Sequence, residues 1–137
     1  MVRQWYLLNV RLLQSIFGQI TFDDQGLFWV LIHDFELPHV WNKPSTALLI
    51  KTPGENIENY KDYYFYIDRD LRRMDNLAMK NIFDGSFYND LYEKNYARLC
   101  LHLNNFAPAL NFKDGENLAD ICQTVYHFLA QKKRSIN

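Results

Sequence analysis

The sequence predicts an α+β domain: a helix at the start, an antiparallel meander of three or four strands, and a packed helix near the end. Two observations support this class. Apolar residues repeat at helical spacing before Gly18 and after Gly115, and the chain between them alternates β-forming runs with turn signals. The 137 residues are predicted to form a single domain, 1–137, that buries about two thirds of the surface of the unfolded chain.

The first predicted element is an amphipathic helix over residues 3–17, and Gly18 is suited to end it. Arg3 and Arg11 lie off its apolar stripe. That stripe is predicted to contain the following residues: Trp5, Leu8, Leu12, Leu13, Ile16 and Phe17.

Three strands are predicted next, in meander order and separated by turn signals at 23–26, between Pro38 and Pro44, and at Pro53-Gly54. The first of them has a nearly continuous apolar run, which predicts that both of its faces are covered. The predicted strands are residues 28–32 with Phe35, residues 46–51 and residues 63–67.

From Asp68 to Asn95 the pattern weakens, and a long insert with little regular structure is usually functional or mobile. Near the end, Asp114 or Asn117 is suited to cap a helix that runs to about Gln131. Cys122 falls on the apolar face of this helix and is predicted to be inert packing.

Composition excludes several classes of function. The net charge is −1, so no overall field recruits nucleic acid or an anionic membrane. There are only two cysteines, no signal-peptide pattern and no apolar run long enough to cross a membrane, so we expect a soluble cytoplasmic protein. Four histidines without ligand spacing, and the absence of a glycine-rich phosphate loop, predict neither a metal site nor a cofactor.

The segment YARLCLHLNNFAPAL, residues 96–110, contains the candidate nucleophile. Read with a period of two, its small and aliphatic residues face the core, while Arg98, Cys100, His102 and Asn104 face the other way. A free cysteine is usually buried, so one on a polar face is unusual. Positive charge from Arg98 and His102 favours the reactive thiolate form of Cys100.

This segment resembles the active-site segment of ubiquitin-conjugating enzymes, in which Cys-Leu-Asp-Ile-Leu precedes Trp-Ser-Pro-Ala-Leu and a helix. Here Cys100-Leu-His-Leu precedes Phe106-Ala-Pro-Ala-Leu110, with a gap two residues shorter, and His102 stands in place of the aspartate. The resemblance covers residues 27–129. Small bacterial members of the superfamily are similar in further segments, which are Phe65-Tyr-Ile-Asp68 with Leu71, His102, and Gly115-Glu-Asn117-Leu118.

The resemblance implies a UBC-like fold without the last helices of conventional members. It implies that Cys100 accepts a ubiquitin-like protein as a thioester from an adenylating activating enzyme and transfers it to a nucleophile on a target protein. The activating enzyme would dock on the first helix, where Arg3 and Arg11 are candidate contacts. His102 or Asp114 would orient or deprotonate the attacking amine.

The oxyanion donor stays open among Asn104, Asn105 and an asparagine of the insert. The family's His-Pro-Asn motif is absent, and Asn89 and Asn95 are possible substitutes for its asparagine.

Two hypotheses remain, a conjugating enzyme or a catalytically inactive variant that acts as a binding module. The cysteine favours the enzyme, and the missing His-Pro-Asn motif favours the binding module. A cysteine hydrolase is not favoured, because residues two apart on one strand face lie about 6–7 Å apart at their Cβ atoms, a poor geometry for a Cys100–His102 couple.

Overall fold

The computed structural model describes residues 2–26, 28–75, 82–83 and 94–131. In these ranges the chain forms two α-helices and one antiparallel six-stranded sheet, and two short 3-10 helices cover Tyr60–Asp62 and Phe112–Asp114. The α+β class is therefore confirmed. The elements are α1 (Val2–Phe17), β1 (Ile20–Phe22), β2 (Trp29–Glu36), β3 (Ser45–Lys51), β4 (Tyr64–Asp68), β5 (Ile82–Phe83), β6 (Tyr96–Leu99) and α2 (Leu118–Leu129).

Helix α1 ends where predicted. Gly18 has a positive φ of 80°, and its N–H donates to the carbonyl of Gln14 at 3.0 Å. The predicted apolar stripe is partly wrong, because Ile16 is 53% exposed. The buried stripe is rotated and has a polar residue, Asn9, at its centre; its members are Trp5, Tyr6, Asn9, Val10 and Leu13.

The turn predicted before β2 is built around one carboxylate. Asp23 accepts hydrogen bonds from the backbone N–H groups of Phe28, Gly26 and Gln25, at 3.2, 3.2 and 3.1 Å. The bonds from Phe28 and Gly26 hold the pKa of Asp23 below its usual value.

The sheet order is β1-β2-β3-β4-β6-β5, so the predicted meander of β2, β3 and β4 is confirmed. Strand β6, which ends one residue before Cys100, pairs with β4. Phe65 pairs with Leu99 in that ladder. Strands β1 and β5 were not predicted, because runs of three and two residues are too short to carry a periodic pattern.

Both helices carry buried residues that join one face of the sheet in a single core. Helix α2 contributes Leu118, Ile121, Cys122, Val125 and Leu129. On the opposite face, Trp29 and Leu31 of β2 are half-buried against Leu49 and Tyr66. The prediction that β2 is covered on both faces therefore holds only in part.

Residues 68–75, predicted to be weakly structured, pair closely with the loop after β2. Asn42 donates its backbone N–H to the carbonyl of Arg72, and its side-chain oxygen accepts the N–H of Arg72, both at 2.9 Å. Lys43 contacts the carboxylates of Asp68 and Asp70 at 2.9 and 2.8 Å. These polar pairs carry no periodicity, so the sequence pattern did not reveal them; residues 76–81 and 84–93, including Asn89, lie outside the described part.

Helix α2 is fixed at both ends. Asn117 caps it, accepting from the N–H groups of Ala119 and Asp120, while the Asp120 carboxylate accepts the N–H of Asn117 in return. At the other end, the indole N–H of Trp41 donates to the carbonyl of Leu129 at 2.9 Å. The helix ends two residues before the predicted Gln131. None of the helices in the described ranges is long and apolar enough to cross a membrane.

One buried side chain joins the two helices. Asn9 is fully buried on α1, and its Oδ1 accepts the backbone N–H of Leu118, the first residue of α2, at 2.7 Å. Its Nδ2 donates to the carbonyl of Trp5 at 2.9 Å. Since the N–H groups of a first helical turn have no partner inside the helix, Asn9 completes the N-terminus of α2 from a different element.

Replacing Asn9 with alanine should destabilise the protein by about 1–3 kcal/mol, because the buried N–H of Leu118 would lose its acceptor. Urea unfolding followed by circular dichroism measures this change. The matched control is Asn59→Ala, which removes an exposed side-chain bond to Asp62 and should change stability by less than about 0.5 kcal/mol. Equal effects of the two variants would contradict this role of Asn9.

Candidate active site

Cys100 lies immediately after β6, where the chain leaves the sheet. The N–H of Leu101 donates to the carbonyl of Leu99 at 3.0 Å, which closes a three-residue turn centred on Cys100. The residue is half-buried. The thiol is therefore presented at a strand end, not along a straight strand.

His102 reaches the thiol. Its Nε2 lies 3.8 Å from the Cys100 Sγ, and the imidazole is exposed. The expected separation along a straight strand does not apply, because the strand stops at Leu99 and the turn brings the two side chains together. The objection to a Cys100–His102 couple that was based on strand spacing is therefore wrong.

Arg98 is placed differently from His102. It lies within β6, where it pairs with Tyr66, and its guanidinium lies 5.1 Å from the centre of the Tyr64 ring. The charge thus rests on the aromatic ring of the neighbouring strand. The contact of 3.8 Å to the thiol comes from His102.

Two buried leucines hold the ends of the loop that contains the Cys100–His102 pair. Leu99 is 1% exposed and Leu103 is 4% exposed, while Leu101 between them is half-buried. This agrees with the predicted core face of the segment. Farther along, Phe106 packs edge-on against Tyr63, with ring centroids 5.4 Å apart. The reactive loop is short and is anchored on both sides.

The Phe106–Leu110 segment is held by the residues just before α2. The Glu116 carboxylate accepts the N–H of Ala107, and the Glu116 N–H donates to the carbonyl of Ala107, both at 2.9 Å. The glycine at position 115 allows this close approach of the two segments, because a Cβ there would lie 2.5–2.8 Å from backbone atoms of residues 107–109. The sequence indicated Gly115 and Glu116 only as members of a motif. It did not predict the contact between Glu116 and Ala107, because no local pattern indicates a contact between residues nine positions apart.

The remaining predicted site residues lie elsewhere on the loop and after it. Asn104 is exposed and lines a small groove with Glu116 and Asp120. Asp114 is exposed at the end of a 3-10 helix. In the part of the chain that the structure describes, no contact joins either residue to the Cys100 thiol.

Two other asparagines have positive φ: Asn105 in the loop, at 60°, and Asn95 before β6, at 74°. The backbone carbonyl of Asn95 accepts the N–H of Arg69 at 2.9 Å.

Cys122 differs from Cys100 in its burial. It is 3% exposed in the core, and burial raises the pKa of its thiol to about 12. This agrees with its predicted role as packing. Among the described residues, no group of three or more histidine, cysteine or acidic side chains is arranged to hold a metal ion.

Comparison of the chain with protein-family models, with curated proteins and with solved structures finds no match.

In native protein, brief treatment with iodoacetamide should label Cys100 and leave Cys122 unlabelled. Cys122 is buried, and at neutral pH its thiol stays protonated, whereas the thiolate is the nucleophile. Peptide mapping by mass spectrometry measures the labelling, and urea should make Cys122 reactive. Cys100→Ser protein should remain unlabelled until it unfolds; native labelling of Cys122 would contradict the assignment.

Gly115→Ala should destabilise the protein by about 1–3 kcal/mol, because the new methyl group meets backbone that cannot swing aside. Gly26→Ala is the matched control, since its Cβ would meet side-chain atoms and no backbone: the exposed ring of Phe28, which can move, and the Asp23 carboxylate at 3.2 Å. Chemical unfolding compares the two variants, and iodoacetamide labelling reports whether the loop has shifted. An equal loss in the free energy of unfolding in the two variants would contradict the close packing of Gly115 against residues 107–109.

Proposed function

We propose that the chain is a conjugating enzyme for a ubiquitin-like protein, and that Cys100 carries that protein as a thioester. The observation on which this rests is the 3.8 Å contact between the Cys100 Sγ and the His102 Nε2, on a short loop between buried anchors. The element order supports the proposal, because a helix, an antiparallel meander, a cysteine segment and a helix is the order that the resemblance implies.

The first step is thioester exchange. The Cys100 thiolate attacks the carbonyl carbon of a thioester held by the activating enzyme, and a tetrahedral intermediate forms. Its collapse breaks the old carbon–sulfur bond and releases the thiolate of the activating enzyme, which leaves the acyl group on Cys100. No oxidant or cofactor is consumed, since one thioester replaces another.

The second step passes the acyl group to an amine. A lysine has an ordinary pKa of about 10.4, so its ammonium must lose one proton to solvent before the nitrogen can attack, and the attacking amine loses a second proton as the amide forms. His102 is the candidate base, because its imidazole is exposed and contacts the sulfur from which the acyl group departs. The amine nitrogen forms the new bond to carbon, its proton goes to His102, and Cys100 leaves as the thiolate.

Helix α1 offers a surface for the activating enzyme. Arg3 and Arg11 are both exposed, and the Arg3 Nη2 donates to the carbonyl of Asp24 at 3.0 Å. In this proposal the two arginines contribute charge to docking, and the chemistry stays with the Cys100 loop.

A cysteine hydrolase is a second candidate, which the Cys100–His102 contact favours because the same pair would activate the thiol and then a water molecule. It differs from the conjugating enzyme in the acceptor of the acyl group. The inactive binding module differs from both, because it forms no covalent adduct.

The test uses a short peptide thioester that ends in glycine, which supplies an acyl group without a protein partner. Intact-mass spectrometry should detect one acyl group on the wild-type protein, which added thiol removes and added lysine discharges as an amide. Cys122→Ser should acylate like wild type. Cys100→Ser should give no adduct, or an oxyester that survives thiol.

His102→Ala should still form the adduct but should discharge to lysine about 10²-fold more slowly or worse, as expected for loss of a general base. Rapid loss of the acyl group to water, with no amide formed, would favour the hydrolase. A protein that never acylates and yet binds a ubiquitin-like protein would be the binding module. Either result would reject the conjugating enzyme.

A further inference from the structure

A groove of about 530 Å³ lies between the end of α1, the end of β2 and helix α2. Its lining is mixed: Ile16, Phe17, Phe35 and Tyr126 belong to its apolar part, and the polar part consists of Asp34, Glu36, Gln123 and His127. The Phe17 and Phe35 rings contact each other, with centroids 5.6 Å apart. Ile16 is 53% exposed and adds apolar surface to the groove. The groove is separate from the Cys100 loop, and no step of the proposed chemistry uses it.

The same groove borders an open strand edge. Strand β1 pairs with β2 only as far as Ile32, and the N–H of His33 makes the last bond, to the carbonyl of Gln19. In the described part of the chain, no strand lies on that side of residues 34–36. The N–H of Leu37 bonds to Pro44 in the direction of β3, so by the alternation of an antiparallel ladder the N–H and C=O of Glu36 point toward the open side.

The two faces of this edge have different chemistry. Phe35 is buried and faces the helices, whereas Asp34 and Glu36 are exposed. Neither carboxylate takes part in the ion pairs that the described residues form. A strand laid along this edge would place its side chains opposite these three in turn, and cross-strand pairs of opposite charge and of apolar residues stabilise such a pairing.

We propose that this edge binds an extended peptide segment of a partner protein with the alternation basic–apolar–basic, added antiparallel to β2. The peptide would lie on the same side of β2 as β1, next to residues 34–36, which β1 does not reach. Its basic side chains would lie opposite Asp34 and Glu36, and its apolar side chain would enter the groove beside Phe35 and Tyr126. Backbone bonds to Glu36 supply affinity, and the side-chain alternation supplies selectivity.

Charged residues also protect strand edges from unwanted pairing. Protection alone needs no apolar groove beside the edge, and here the groove and the edge coincide. The two carboxylates repel an acidic segment and attract a basic one. They therefore favour a basic partner while still protecting the edge from other strands.

The test titrates the ¹⁵N-labelled full chain with the probe acetyl-Lys-Val-Lys-Val-Lys-amide. Amide shifts should change at residues 34–37 and around Ile16 and Tyr126. N-methylation of the probe at its lysines should weaken binding at least about tenfold, because those N–H groups face Glu36. N-methylation at the valines is the matched control and should have little effect, since those N–H groups face away.

Two variants of the protein distinguish the contribution of the Glu36 backbone N–H to binding from that of its charge. Glu36→Pro removes the outward N–H without touching the bonds to β3, and it should abolish binding. Glu36→Gln keeps that N–H and should weaken binding only a few-fold. The double variant Asp34→Lys, Glu36→Lys should exchange preference and bind acetyl-Glu-Val-Glu-Val-Glu-amide.

Equal binding of the probe methylated at its lysines, or shifts that map elsewhere, would overturn the proposal. So would sedimentation that detects a dimer which Glu36→Pro dissolves, because the edge would then belong to a second copy of the chain. Tighter probe binding after removal of residues 132–137 would assign the edge to the chain's own terminal segment instead.

Discussion

The buried hydrogen bond that the N–H of Leu118 donates to the Asn9 Oδ1 is the constraint on which the arrangement of the helices depends. It sets the start of α2 against α1, and the Trp41 indole sets the end of α2 by donating to Leu129. A helix held at both ends has little freedom to slide over the sheet. Its buried residues join the core shared with the sheet, and the segment that precedes the helix is positioned as well. An apolar residue in place of Asn9 would leave the first turn of α2 with a buried donor and no acceptor.

The Cys100 loop is positioned by buried side chains at its ends and by hydrogen bonds to the segment before α2. Leu99 and Leu103 anchor it in the core, and Glu116 holds the following segment through two hydrogen bonds to Ala107. The turn at Cys100 follows from these anchors, and with it the contact to His102.

Several features escaped prediction for identifiable reasons. Ile16 matches the helical spacing of the predicted stripe but is exposed, because the buried stripe is rotated onto Asn9, and no hydropathy pattern selects an asparagine as its centre. The pairing of Asn42 with Arg72 relies on polar groups that a period cannot reveal. The 3.8 Å Cys100–His102 contact contradicts the spacing argument, because that argument assumed a straight strand that in fact ends at Leu99.

The sequence by itself determined the class of fold, the order and approximate bounds of both helices, the four longer strands and the contrast between Cys100 and Cys122. All of these are local properties: periodicity, turn residues and the face on which a residue falls. Only the tertiary structure decided that β6 adds to β4, that His102 reaches the thiol, that Glu116 clamps Ala107 and that β2 has an open edge beside a groove. Each of these features depends on contacts between segments that are distant in the sequence. Local sequence patterns do not specify which strand, hydrogen-bond donor or charge will be the partner in such a contact.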